Sequence, residues 1–352
     1  MNQPNKLLLK PALSLTLGSL LAVGLTCVFP KGQTMAQDWE AQIDATPNSS
    51  RVEHLRPQAD SLLSLGQQAY EQDFIESAIA YWQQAAQVYH QIGDAQALAL
   101  TYDYLSRSYL SLERYIEAEE VTRRCLAITR DTQNWQGQIY ALNNLGMLLL
   151  QTQKFDSAAE VFEQASTISH SISDDRGQGL SLNNLGVLAA AEGNYTGAIR
   201  YYEEALAMRR QARDLRGEVT TLNNLGGAQQ ALNQYEQSLY AYRLARKLAR
   251  IEEDVSKQFI ALQGLVTGYT TVNNFSMAIN HLAEWLNLAR NEGNLRQEFL
   301  VLRASSRLQV KEGNQQEAER YYHIAIALAK RLGDSEQAAL LTNELSQLIF
   351  SP

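Results

Sequence analysis

The chain has 352 residues, 45% of them hydrophobic and 8% aromatic, with only 6 prolines, which is a globular composition and neither a disordered nor a fibrous one. Thirty basic against 38 acidic side chains leave a formal charge of -8, which repels phosphate backbones, so nucleic acid is not an expected partner. Two cysteines cannot build a disulfide framework, and there is no Gly-rich phosphate loop, paired-His zinc helix or nucleophile elbow; catalysis, a cofactor and a metal are all outside the expectation.

At the amino terminus, Lys6 and Lys10 precede an apolar run from Ala12 to Phe29, closed by Thr34-Met35-Ala36. This pattern predicts a secretory signal peptide over 1–36, cleaved after Ala36. The run is also nearly long enough to span a bilayer, so an uncleaved anchor is the alternative. Lipidation at Cys27 fits less well, because Leu25 and Thr26 are not the small residues such a site needs. Cleavage removes Lys6, Lys10 and Lys31 and no acid, leaving a charge of -11 and one thiol, Cys125. The expected location is periplasmic, reached by export across the inner membrane. Residues 37–58, polar and containing Pro47 and Pro57, are expected to form a flexible leader.

From residue 59 the sequence repeats. Leu-Asn-Asn-Leu-Gly stands at 142–146, 182–186 and 222–226, a spacing of 40 both times. The Gly position continues as Gly66, Ser106, Gly146, Gly186, Gly226, Val266 and Ser306. Twelve residues on runs the column Ala78, Ala118, Ala158, Ala198, Ser238, Ala278 and Ala318, and seven beyond it Ala85, Cys125, Ala165, Ala205, Ala245, Trp285 and Ala325. A larger residue such as Trp82, Phe162 or Tyr202 sits between these columns, four after the first and three before the second, which places all three on one helix face. Polar pairs such as Gly193-Asn194 and Asn273-Asn274 mark a tight turn between two antiparallel helices. Asp94, Asn134, Asp174, Asp214, Asp254, Asn294 and Asp334 fall 40 apart at the other junction, where a short acceptor caps the next helix. Residues 336–352 carry a last helix that covers the final apolar face.

These columns resemble the tetratricopeptide repeat (TPR) family, and Tyr195-Thr196-Gly197-Ala198 with Tyr202 and Ala205 is similar to its consensus. The 40-residue period resembles the kinesin-light-chain variant. The resemblance implies an all-α, right-handed α-solenoid of about seven hairpins over 59–335, plus a C-terminal capping helix. In the sixth repeat Val266 and Trp285 are too bulky for their columns, so that hairpin is expected to repack, with Trp285 either filling the space or contacting a ligand. Cys125 is expected to be a buried small hydrophobe rather than a redox group.

Such arrays present a concave face lined by first helices. There Asn143, Asn144, Asn183, Asn184, Asn223 and Asn224 form a ladder that either hydrogen-bonds a peptide backbone, as corresponding residues do in kinesin-light-chain relatives, or ties neighbouring repeats together. Arg303, Arg307 and Lys311, four apart, either clamp a carboxylate or form a solvated turn. The five histidines are scattered, and the acids of the leader and first repeat fit solvated surface better than a cation site. The expected function is a non-enzymatic, extracytoplasmic scaffold binding a protein or peptide segment. The Gln-rich, Lys-poor wording and the layout are similar to cyanobacterial periplasmic repeat proteins that assist photosystem II, so an assembly factor acting on membrane-protein subunits is the concrete version. A regulatory or sensor subunit of a separate enzyme is the alternative.

Overall fold

The structure is a computed structural model that describes residues 50–350; the signal segment 1–36 and the leader up to residue 49 lie outside the described residues. Fifteen helices follow one another and, among the described residues, no strand occurs. They are α1 (Ser50–Glu71), α2 (Ile75–Ile92), α3 (Ala95–Ser111), α4 (Tyr115–Asp131), α5 (Trp135–Gln151), α6 (Phe155–Ser171), α7 (Asp175–Ala191) and α8 (Tyr195–Gln211). Then come α9 (Leu215–Ala231), α10 (Tyr235–Ile251), α11 (Val255–Thr271), α12 (Phe275–Asn291), α13 (Leu295–Glu312), α14 (Gln315–Arg331) and α15 (Ser335–Phe350). Each odd helix pairs with the even helix after it, giving seven stacked hairpins and a terminal helix, an all-α solenoid.

The ruler of 40 is two steps of 20, each a helix of mostly 17 residues and a three-residue turn. The residue before every N-cap has positive φ: Asp73, Gly93, Glu113, Gln133, and so on by twenties to Gly333. In each turn the next backbone N–H returns to the carbonyl five residues earlier, as from Asp94 to Tyr89 (3.0 Å) and from Asn194 to Ala189 (2.8 Å). This is the left-handed cap that ends a helix with its carbonyls satisfied. All seven predicted caps form, from Asp94 accepting the Ala97 N–H at 3.0 Å to Asp334 accepting that of Gln337 at 3.0 Å. Each contributes about 1 kcal/mol and fixes where a first helix begins.

Nine of these left-handed positions hold a side chain, at a local cost that glycine avoids. Gly193 (φ 79°) has open space around its missing Cβ, so Gly193→Ala isolates the backbone term. We expect it to cost about 1 kcal/mol, and Glu253→Gly (φ 53°) to be neutral or to add up to about 1 kcal/mol. Paired urea denaturation curves check both, and a stabilising Gly193→Ala would refute the strain account.

The small columns are where paired helices touch. A methyl at Gly146 would overlap the Phe162 ring, and one at Gly186 would sit 2.5 Å from Tyr202. Where the pair is Ser106 and Thr122, two hydroxyls hydrogen-bond in the same gap. In the sixth hairpin Trp285 is 2% exposed, clusters with Val301 and Leu308 of α13, and donates Nε1–H to Gln297 Oε1 (2.9 Å). It thus fills the seam to the next hairpin, where Ser305 stands in the column that otherwise reads Leu, rather than facing a ligand. Cys125 is buried, its thiol donating to the Ala99 carbonyl, and burial pushes its pKa far up, so it stays a protonated small hydrophobe.

One boundary differs from the expectation. Helix α1 starts at Ser50 and runs through Pro57, so residues 50–58 of the expected leader are helical. Tertiary contacts offset the hydrogen bond Pro57 removes: Ala59 is fully buried beside Ala85 and Ala86, Tyr89 donates to Asp60 (2.6 Å), and Arg56 lies 3.6 Å from Asp94.

Candidate interaction face

Asparagines at the Asn-Asn positions project between successive first helices, and the residues three or four away stand on the same side of each helix, the side expected to line the inner face of such an array. The six asparagines themselves are buried, and among the described residues Asn223 Oδ1 is left without a hydrogen-bond partner. Asn143, Asn144, Asn183, Asn184, Asn223 and Asn224 are all at most 7% exposed. Asn144 Nδ2 donates to Asp103 Oδ1 (2.7 Å), Asn184 Nδ2 to Asn143 Oδ1 (2.8 Å), and Asn224 Nδ2 to Asn183 Oδ1 (3.1 Å). The first amide of each pair reaches forward: Asn143 donates to Ser181 Oγ (3.0 Å), Asn183 Oδ1 accepts from Thr221 Oγ1 (3.2 Å), and Asn223 donates to the Lys257 carbonyl (3.3 Å). Of the two roles open to them, these bonds are those of a tie between repeats. A ligand would have to break these buried bonds first, each loss costing about 1–3 kcal/mol.

The basic stripe is also largely engaged. Arg307 makes a two-point contact with Glu344 of α15 (Nη2–Oε1 2.6 Å, Nε–Oε2 3.2 Å), and Tyr322 donates to the same carboxylate at 3.1 Å. Burial raises the Glu344 carboxyl, but the hydrogen bonds and charge of Arg307 outweigh it and hold the carboxyl below the usual range. Arg303 donates to Gln337 Oε1 (2.9 Å) and lies over the Phe299 ring; burial and then Arg307 lower its pKa. These two arginines hold the capping helix. Arg307, although paired, and Lys311 are both exposed at the surface, whereas Arg303 is half-buried. Sequence spacing placed the three along one helix but gave no sign of Glu344, which approaches from another helix.

What is exposed on the inner face changes along the array. Tyr140 is half-buried and Met147 buried in α5, Val187 and Ala191 are half-buried in α7, Ala231 is exposed in α9, and Thr267 and Thr271 are exposed in α11. Arg307 and Lys311 continue the series in α13. The face is therefore closed at the third hairpin and opens toward the fifth to seventh, lined by small and hydroxyl side chains in the fifth and sixth and by Arg307 and Lys311 in the seventh.

The sequence reading missed a buried ion pair at the α8–α9 junction. Arg209, 5% exposed, sets Nη1 2.6 Å from Asp214 Oδ2, while Asp214 Oδ1 caps Gly217 N (3.0 Å). The available signal was Gly179, which stands where α5 has Ile139 and leaves room for the Arg209 stem.

Among the described residues no group of His, Cys, Asp and Glu side chains could hold a metal ion. One cavity of about 550 Å³ lies between α2 and α4 over α3, with Ala86, Leu105 and Val121 within and Arg114, Glu117 and Arg124 at its rim.

A stacked array of helical hairpins defines a helical-repeat protein. The chain carries tetratricopeptide repeats: the tetratricopeptide repeat model matches residues 137–211 and 177–251, and a second of the same description matches 98–132. No curated protein matches the chain in sequence. Among solved structures, BtubC (BKLC) from P. vanneervenii is 18% identical with a TM-score of 0.51, over 68% of this chain and 93% of that one. The Rap conjugation gene regulator of plasmid pLS20, in complex with the Phr* peptide, is 17% identical with a TM-score of 0.56, over 84% and 80%. A signal-transduction ATPase with a tetratricopeptide repeat sensor from Pyrococcus horikoshii is 16% identical with a TM-score of 0.61, over 81% and 44%. At these identities the likeness is one of fold.

Proposed function

We propose that this protein is a non-enzymatic scaffold that receives a polypeptide segment along the inner face of its fifth to seventh hairpins. The supporting observation is the opening of that face from buried Met147 to exposed Thr267, Thr271 and Lys311. Small side chains there leave room for an extended backbone, and the hydroxyls and Lys311 supply neutral and cationic contacts to it. A Rap regulator of similar fold was solved with a peptide bound, which is in keeping with this use of a hairpin array. The Lys6–Ala36 pattern favours export, hence an extracytoplasmic scaffold whose concrete role is assembly of a membrane complex, of the photosystem II type in a cyanobacterium. Retention by an uncleaved segment 12–29 would keep the same scaffold at the membrane. Among the described residues no helix is long and apolar enough to cross a membrane.

A second reading, a sensor or regulatory subunit of a separate enzyme, is favoured by the likeness to a repeat array that serves as the sensor of an ATPase. A photo-crosslinking residue at Thr267, with one at exposed Glu163 as the outer-face control, separates the two. Crosslinks from Thr267 to membrane-protein subunits support assembly, and crosslinks to a soluble catalytic partner support regulation. Equal yields from both positions would overturn the inner-face assignment.

A further inference from the structure

Helix α10 differs from the other six second helices on its outward stripe. Tyr240, Arg243, Lys247 and Arg250 follow one another at intervals of three or four, all exposed, with Tyr240 at 64%. No other second helix carries more than two Lys or Arg on the matching stripe, and most of those are neutralised, as Arg123 is by Glu119, Arg200 by Glu204 and Arg320 by Glu317. By contrast, among the described residues no carboxylate pairs with Arg243, Lys247 or Arg250, although the chain as a whole carries -8. Arg243 reaches only the Tyr269 hydroxyl of α11, at 3.5 Å.

A second observation lies beside this stripe, where Arg246 of α10 pairs with Glu284 of α12. His281 of α12 is 8% exposed, stacks on Tyr269 (5.5 Å between centroids), and has neither ring nitrogen hydrogen-bonded. Glu284 sits 3.5 Å from its Nδ1, turned to pair with Arg246 of α10. Arg243 and Arg246 from α10, Tyr269 from α11 and Glu284 from α12 are the charged and titratable groups facing the imidazole. Burial, then Arg246, keeps that ring neutral.

We propose that the outward surface formed by α10 with α12 is a docking site for a carboxylate-rich polypeptide segment of a partner, separate from the inner face. Arg243, Lys247 and Arg250 hold its carboxylates, and Tyr240 covers the stem of one side chain. An arriving carboxylate takes Arg246 from Glu284. The released Glu284 turns to His281 Nδ1, which gains a proton from solvent and its first hydrogen bond. The ligand offsets the two arginines that opposed this proton, so the ring's proton affinity rises on binding and affinity increases as pH falls.

The test uses the full chain and fluorescein-labelled decaglutamate, followed by anisotropy. Replacing Arg243, Lys247 and Arg250 together by Ala is expected to weaken binding about tenfold or more, whereas Arg123→Ala with Arg130→Ala on α4 changes it less than about twofold. Wild type binds more tightly at pH 6 than at pH 8, and His281→Gln flattens that dependence while leaving the complex formed. The proposal is overturned if the α10 and α4 variants lose binding equally, if decaglutamate does not bind, or if phosphatidylglycerol vesicles alone are captured through α10, which would assign the stripe to a membrane. A pH-independent wild type would refute the exchange at Glu284 and His281.

Discussion

Arg209→Ala is expected to destabilise the array by about 3–5 kcal/mol, because it strands the Asp214 carboxylate in a buried site. Asp214 is 7% exposed, and besides Arg209 only the Gly217 N–H at 3.0 Å and Arg176 at 3.7 Å are described near its oxygens. The cap alone does not require a charge, since Asn134 and Asn294 perform it at equivalent positions with bonds of 2.8 and 3.0 Å. Arg209→Ala combined with Asp214→Asn should therefore recover a large part of the loss, leaving mainly the cavity where the Arg209 stem packed on Gly179. Urea denaturation of the single and double variants decides the matter. A single variant that loses less than about 1 kcal/mol, or a double variant no better than the single, would show that the pair is not what holds α8 to α9.

Asn183→Ala is expected to cost about 3 kcal/mol and to act on the coupling between repeats more than on any one hairpin. Asn183 is fully buried, and its carbonyl oxygen serves both Asn224 and Thr221 of the following hairpin. Its amide donates to Asn184, whose own amide reaches back to Asn143. Removal leaves Asn224 without its described acceptor and breaks the chain of amides at its middle. In a linear array, weakening one interface lets the flanking blocks open separately. Hydrogen exchange should accordingly rise in α7 and α9 with little change in α2 or α14. Uniform acceleration across all fifteen helices would argue instead for a single cooperative unit.

Much of the fold was legible because the features that specify it are local. A capping Asp or Asn acts on an amide three residues ahead, as Asp174 does on Gly177 at 2.9 Å, and the small columns meet aromatics sixteen residues on, as Gly186 meets Tyr202. Such contacts repeat with the sequence, so the sequence displays them. The candidate site was less legible. Whether Asn183 faces a ligand or its neighbour depends on how closely first helices approach across a separation of 41 residues. The partner of Arg307 lies 37 residues away on the terminal helix and breaks the repeat pattern, since Glu344 stands where the central repeats have Asn.

The sequence by itself determined the ruler, the caps, the hairpin unit and its repeat class, since each rests on contacts within about 20 residues. Only the tertiary structure decided which polar groups are spent inside the array and which stay open to a partner. The asparagine ladder and the Arg307–Glu344 pair are spent; the inner face near Thr267 and the outer stripe of α10 remain open. The physical reason is stacking: it brings side chains 41 residues apart, such as those of Asn183 and Asn224, into contact, and no single repeat contains that information.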